Sequence, residues 1–203
     1  ISDPGSILGH LRDSVTHATG LSNTKVITIA GHDTASAVAA VPSKDPTPAC
    51  ISSGTWSLMG LELPAPIINE QSFGDAFTNE IGLNDTVRFL KNICGLWLIQ
   101  ESRRDWLANG QDVPYGKMAS LASEAEPFRS LINPDDPRFI EAGNMPKKIQ
   151  EFCHETGQPI PESKGEIIRC IYESLALRYS QVWQSLMQHV DRAPKTLHIV
   201  GGG

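Results

Sequence analysis

The sequence contains no C-x-x-C pair, and none of its four cysteines, Cys50, Cys94, Cys153 and Cys170, has a histidine at zinc-ligand spacing. A thiolate metal site is therefore not expected. The thiols read as reduced residues of a cytoplasmic protein, with Cys153 and Cys170 left open as a pair because they flank one polar segment. No apolar run approaches the ~18 to 20 residues that cross a bilayer. The opening Ile1-Ser2-Asp3-Pro4-Gly5 has neither the basic nor the apolar region of a secretory signal. A soluble, unexported chain without a membrane partner is expected. Basic residues are outnumbered, 17 against 23 acidic, for a formal net charge of −6. They are scattered rather than gathered into a patch with interleaved aromatics, which argues against a nucleic-acid partner. The phosphate loop G-x-x-x-x-G-K-[ST] is absent, and so is the G-x-S-x-G elbow that a serine hydrolase built on Ser52 or Ser53 with His32 would need.

What is present is an ordinary globular composition, 203 residues with 40% hydrophobic side chains, enough for one good core. Leu8 to Thr19 has the spacing of a short helix, and the β-branched run Lys25 to Ala30 reads as a strand ending at Gly31. An alanine-rich helix start follows at Ala35-Ser36-Ala37. Ser43-Lys44-Asp45-Pro46-Thr47-Pro48 reads as a boundary, because two prolines cannot join a central strand. Two strand-prone segments, Ala49 to Ser53 and Thr55 to Gly60, are broken by Gly54, and a polar connection runs on through Glu80. The pattern then predicts a short strand Val87 to Leu90 and a helix from about Asn92 to Leu107, with Asn92, Leu96 and Gln100 on one face. Gln111 to Pro161 reads as an irregular surface insertion with helical islands at Met118 to Ala125 and Met145 to Thr156. Ser163-Lys164-Gly165-Glu166 has capping-box form and opens a long helix with an apolar stripe at Ile167, Ile171, Leu175, Tyr179, Val182 and Leu186. Leu197 to Val200 is a last strand running into Gly201-Gly202-Gly203. Alternating strands and helices make the class α/β.

Four junctions carry the chemistry. Asp33 stands directly after a strand, where α/β folds open their clefts, and a carboxylate there suits a general base; taken alone it serves equally as a helix cap. His32 is an orienter at most. Ser52-Ser53-Gly54-Thr55 is a small-residue turn able to hold a phosphate on backbone N–H groups and hydroxyls, or else an ordinary hairpin. Asn92 and Gln100 are two amides that fit a ligand or a core edge. Gly201-Gly202-Gly203 permits close approach of a nucleotide to the backbone, or is a flexible end.

In order along the chain, Gly31-His32-Asp33-Thr34-Ala35-Ser36-Ala37, Ser52 to Gly60, the run Leu90-Lys91-Asn92-Ile93-Cys94-Gly95-Leu96-Trp97-Leu98-Ile99-Gln100, and Leu197 to Gly203 resemble the FGGY carbohydrate kinases. Within that family they resemble the branch acting on L-rhamnulose, although L-fuculose or another ketose stays open, as does a non-catalytic actin-like module. The resemblance implies an actin-like, ribonuclease-H-like pair of domains closing over a cleft. Residues 1–45 would end the first, sugar-binding domain, and residues 46–203 would form part of the second, ATP-binding domain. It implies transfer of the γ-phosphoryl of Mg2+-ATP to a sugar hydroxyl. Asp33 would be the proton acceptor. His32, Asp33, Thr34 and Asn92 would hold the sugar, and Gly54, Thr55, Gln100 and Gly202 would meet ATP. The family's Asp-x-Gly-Thr phosphate loop does not occur here, nor does its helix after the glycines. The chain is therefore expected to be a fragment, inactive by itself and prone to self-association through surfaces its missing parts would cover.

Overall fold

The computed structural model describes residues 2–45 and 47–202. Ile1, Pro46 of the expected boundary and Gly203 of the terminal glycines lie outside the described residues. In chain order the elements are β1 (Ile7–His10), α1 (Asp13–Thr19), β2 (Lys25–Ile27), α2 (Asp33–Ala39), β3 (Ala49–Ser53), β4 (Trp56–Leu63), α3 (Glu70–Gly74), β5 (Thr78–Ile81), β6 (Val87–Cys94), α4 (Trp97–Ala108), α5 (Tyr115–Glu124), a 3-10 turn (Pro137–Phe139), α6 (Met145–Glu155), α7 (Lys164–Leu186) and β7 (Leu197–Gly201). β1 and β2 form a two-stranded antiparallel sheet, and the remaining strands form a five-stranded sheet in the order β5-β6-β4-β3-β7.

The chain divides into two compact units. The first comprises residues 1–52, 60–91 and 194–200. The expected helix from Leu8 to Thr19 is only half present, because Ile7–His10 pairs with β2 and the helix starts at Asp13. Gly9, at φ +143, sits where the β1–β2 register shifts, and a bulge of that kind converts an apparently helical spacing into a strand. The connection through Glu80 is likewise structured, carrying α3 and β5. Asn69 and Ser72 form a capping box for α3, and β5 pairs antiparallel with β6 so that Glu80 stands opposite Arg88.

The second unit comprises residues 53–59, 92–193 and 201–203. Its core joins Leu98, Ile99 and Trp106 of α4 to Met118, Ile149, Cys153, Ile168 and Ile171 of the following helices. Each fully buried side chain of this kind contributes about 1.5–3 kcal/mol, which outweighs an exposed helix pair such as Lys147–Glu151. The segment from Gln111 to Pro161 is thus no surface insertion: Val113, Ile132, Phe139 and Met145 are core residues. Its polar side chains, which suggest a loop, bond inward. Gln158 takes both backbone polar groups of Leu131 at 2.8 Å and Asp135 accepts from Cys94 N at 2.9 Å, while Asp105 of α4 reaches in from outside the segment to accept from Met145 N at 2.6 Å. All four cysteines are free and buried. Burial, assisted by Asp135, pushes the Cys94 thiol up to about 12, while the interaction of the Cys153 and Cys170 thiols lowers the pKa of Cys153 and, with burial, raises that of Cys170.

The long helix follows its sequence pattern closely. Ser163 Oγ accepts from Glu166 N at 3.2 Å, Glu166 Oε2 accepts from Ser163 N at 2.8 Å, and the predicted stripe is buried apart from half-buried Tyr179. The backbone N–H groups of Ser163 and Glu162, with Arg129 close by, hold the Glu166 carboxyl below the ordinary carboxylate range. A depressed folded value means that this stabilisation is complete above the unfolded value and is lost as pH falls through the folded one. Ser163→Ala should cost about 0.5–2 kcal/mol of stability in thermal denaturation, and the stability gap between the parent and Glu166→Gln should close in acid. An acid-insensitive gap would show that the carboxylate does not cap the helix.

Candidate active site

The first constellation lies in the first unit, at the start of α2. Gly31, at φ +73, turns the chain after β2, and His32 in extended conformation forms the N-cap. The next residue, Asp33, projects a carboxylate that is 93% exposed. Thr34 N donates to Asp33 Oδ1 at 2.7 Å and to His32 Nδ1 at 3.3 Å, and Thr34 Oγ1 lies 2.5 Å from the same Nδ1. His32, Asp33 and Thr34 therefore form one hydrogen-bonded turn. Arg88 reaches it from β6, donating from Nη1 to Thr34 Oγ1 at 3.3 Å while Nη2 pairs with Glu80 at 2.7 Å. Sequence reasoning assigned no role to Arg88 or Glu80. Their signal was a lone arginine between the apolar neighbours Val87 and Phe89 in a strand-forming run.

The second constellation lies in the second unit, at the turn between β3 and β4. Gly54 N donates to Trp56 O at 3.0 Å, so this N–H closes the turn rather than facing a ligand. The carbonyls of Gly54 and Thr55 accept from Leu96 N at 2.9 Å and Trp97 N at 3.0 Å, satisfying two donors that the start of α4 would otherwise leave unpaired. This docking leaves the exposed Thr55 hydroxyl donating to Gln100 Oε1 at 3.1 Å. Thr55, expected at the ATP phosphates, and Gln100, expected beside the nucleotide, are thus brought together. Gly95, which the sequence analysis did not single out, makes the approach possible, since a Cβ there would lie 2.7 Å from Gly54 O and 2.8 Å from Thr55 O. Beneath the turn, Ser57 Oγ and Tyr179 Oη lie 2.6 Å apart, and burial raises the Tyr179 pKa. An apolar notch of about 170 Å³ opens beside Trp56, lined in part by Trp97, Phe139 and Ile140.

Asn92 is not on a helix with Gln100. β6 continues to Cys94, placing Asn92 exposed on that strand, and α4 begins only at Trp97. Strand pairing overrides the i, i+4, i+8 spacing there, and Gly95 separates the two elements. Gly202 is exposed after β7; the preceding Gly201, at φ +113, packs against the Ser53 backbone so closely that a Cβ would collide with Ser53 O.

Residues 49–203 match the model of the FGGY family of carbohydrate kinases, C-terminal domain. The chain belongs to the FGGY family of carbohydrate kinases. It is 50% identical over 200 residues to rhamnulokinase of Bacteroides thetaiotaomicron, covering 98% of this chain and 40% of that protein. It is 45% identical over 203 residues to rhamnulokinase of Enterococcus faecalis, covering 99% and 40%. The chain therefore spans about 40% of the length of these curated relatives. Among solved structures it is similar to ligand-bound xylulose kinase from Lactobacillus acidophilus, with TM-score 0.61 and 14% identity over 100% of this chain and 40% of the other. A xylulose kinase from Brucella ovis gives TM-score 0.61 and 16% identity over 99% and 40%. These likenesses establish the fold as the actin-like, ribonuclease-H-like fold of FGGY sugar kinases.

The turn also supplies a test of the phosphate assignment. Gly54 has no positive φ, and a Cβ there meets only Trp56 O at an ordinary 3.5 Å, so the fold has room for a side chain. Gly54→Val in the full-length protein that carries this chain should therefore raise KM for ATP more than KM for sugar, by crowding phosphate away from the neighbouring Thr55 hydroxyl. An unchanged KM for ATP would remove Gly54 from the ATP site.

Proposed function

We propose that this chain is part of an ATP-dependent kinase that phosphorylates L-rhamnulose on its C1 hydroxyl, giving L-rhamnulose 1-phosphate and ADP. The observation that carries the reading is 50% identity to a rhamnulokinase over 98% of the chain. Residues 1–45 end the sugar-binding domain, and residues 46–203 belong to the ATP-binding domain. The Asp33 carboxylate accepts the C1 hydroxyl proton as the sugar oxygen bonds to the γ-phosphorus and the bond to the β-phosphate oxygen breaks. His32, Thr34 and Asn92 orient the ketose. Gly54, Thr55, Gln100 and Gly202 meet the nucleotide.

Among the described residues no cluster of three or more His, Cys, Asp or Glu side chains is arranged to hold a metal. Mg2+ would arrive on the ATP phosphates, since this ion keeps much of its water and is held through substrate phosphates and few carboxylates. It would neutralise charge developing on the transferred group. No described helix is long and apolar enough to cross a membrane. By itself the 203-residue chain is expected to lack turnover and to self-associate.

A coupled ADP assay on the full-length protein with L-rhamnulose, L-fuculose, L-ribulose and D-xylulose tests the substrate. The highest kcat/KM is expected for L-rhamnulose, with kcat of about 1–100 per second. A preference for L-fuculose would reassign the ketose, and no sugar-dependent turnover at all would favour a non-catalytic module.

A further inference from the structure

Arg88 combines three unusual features. Its side chain is only 4% exposed, it stands directly opposite Glu80 in the β5–β6 register, and its Nε has no hydrogen-bond partner among the described residues. Burying the arginine of such a pair beside a glutamate that stays 32% exposed is a poor source of stability, because desolvation of the guanidinium consumes most of the attraction. An incompletely satisfied guanidinium in such a place points to geometry that it imposes. The group it orders is Thr34, through Nη1 and Oγ1 at 3.3 Å.

The consequence falls on the imidazole of His32. His32 Nδ1 has two competing neighbours, Thr34 Oγ1 at 2.5 Å and Asp33 Oδ1 at 3.1 Å. If Nδ1 carries the proton, it donates to one of these oxygens, and donation to Asp33 Oδ1 ties the imidazole to the carboxylate. If the proton is on Nε2, Nδ1 accepts from the Thr34 hydroxyl, and Asp33 keeps its lone pairs. Two donors favour the second arrangement. Thr34 N, whose shorter bond of 2.7 Å goes to Asp33 Oδ1, also reaches Nδ1 at 3.3 Å, and Arg88 occupies a lone pair of Thr34 Oγ1, turning the hydroxyl hydrogen towards the ring.

We infer that Arg88, clamped by Glu80, is a positioning residue that directs the hydrogen-bond chain Arg88 to Thr34 to His32, holding His32 in its Nε2–H tautomer and keeping the Asp33 carboxylate clear of an imidazole N–H. The inference rests on the reading of Asp33 as proton acceptor and adds to it the groups that keep the acceptor open. Arg88 touches neither substrate nor nucleotide in this role.

The test is 15N NMR of the imidazoles in the full-length protein, at a pH above the ordinary imidazole range, with kinetics on the same samples. In the parent, His32 should show an unprotonated Nδ1 and a protonated Nε2. In Arg88→Met, Nδ1–H signal should appear, and kcat should fall about tenfold or more while KM for ATP changes by less than about twofold. A folded Arg88→Met with parental His32 shifts and parental kcat would overturn the inference. If Arg88→Met does not fold, Thr34→Val removes the linking hydroxyl while leaving the Arg88–Glu80 pair in place. It should produce the same Nδ1–H signal, and parental shifts there would equally overturn the inference. Failure of the underlying reading looks different. Full activity in Asp33→Asn would end the assignment of the base and leave the His32 result standing, whereas unshifted His32 with an inactive Asp33→Asn would sink only the role given to Arg88.

Discussion

Asp33→Asn in the full-length protein that carries this chain is expected to lower kcat at least about a hundredfold, with KM for ATP nearly unchanged. The carboxamide has almost the shape of the carboxylate, and its oxygen can still accept from Thr34 N, the bond that ties Asp33 into its turn at 2.7 Å. The fold and the position of the side chain should therefore survive while the proton acceptor is lost. High exposure makes a large stability effect implausible, so circular dichroism and Tm should match the parent. Near-parental kcat in a folded Asp33→Asn would return Asp33 to the role of a helix-start residue, which its place in the sequence equally allows.

Gly95→Ala is expected to damage both stability and nucleotide binding. An added Cβ would lie 2.7 Å from Gly54 O, 2.8 Å from Thr55 O and 2.8 Å from Ser57 Oγ, closer than real Cβ contacts, and two of those atoms are backbone that cannot swing aside. Relief requires pushing the β3–β4 turn off the start of α4, at the expense of the bonds from Leu96 N and Trp97 N and of the Thr55–Gln100 contact. Overpacking of this kind costs about 1–3 kcal/mol. Tm should fall by several degrees, and KM for ATP should rise. Gly116→Ala is the control, because that glycine lies inside α5 with open space around its missing Cβ, and alanine is the better helix former. Equal effects at the two glycines would mean that close docking of the turn is not what Gly95 provides.

The legible parts of the fold were those fixed by local rules. The capping box at Ser163 and Glu166 and the stripe from Ile167 to Leu186 foretold α7, and Gly54 foretold the turn between β3 and β4. The misread parts were those in which a distant partner decides. Leu8 to His10 has helical spacing but finds β2 to pair with, and Asn92 follows β6 rather than α4. The polar segment between Gln111 and Pro161 conceals a core because Gln158, Asp105 and Asp135 satisfy backbone groups that sequence alone leaves unassigned. Around the candidate site, His32, Asp33, Thr34, Gly54 and Thr55 were visible as strand-end and turn residues. Arg88, Glu80 and Gly95 were not, since their parts depend on a cross-strand register and a backbone approach that involve residues far apart in sequence.

The central claim is that this chain supplies the proton acceptor of a ketose kinase. The most direct measurement is ADP release by the full-length protein on addition of L-rhamnulose, run in parallel with Asp33→Asn. The account predicts saturable, sugar-dependent ADP release in the parent, at about 1–100 per second, and its near-complete loss in the variant. A folded parent that binds ATP yet releases no ADP in response to L-rhamnulose or any other ketose would contradict it.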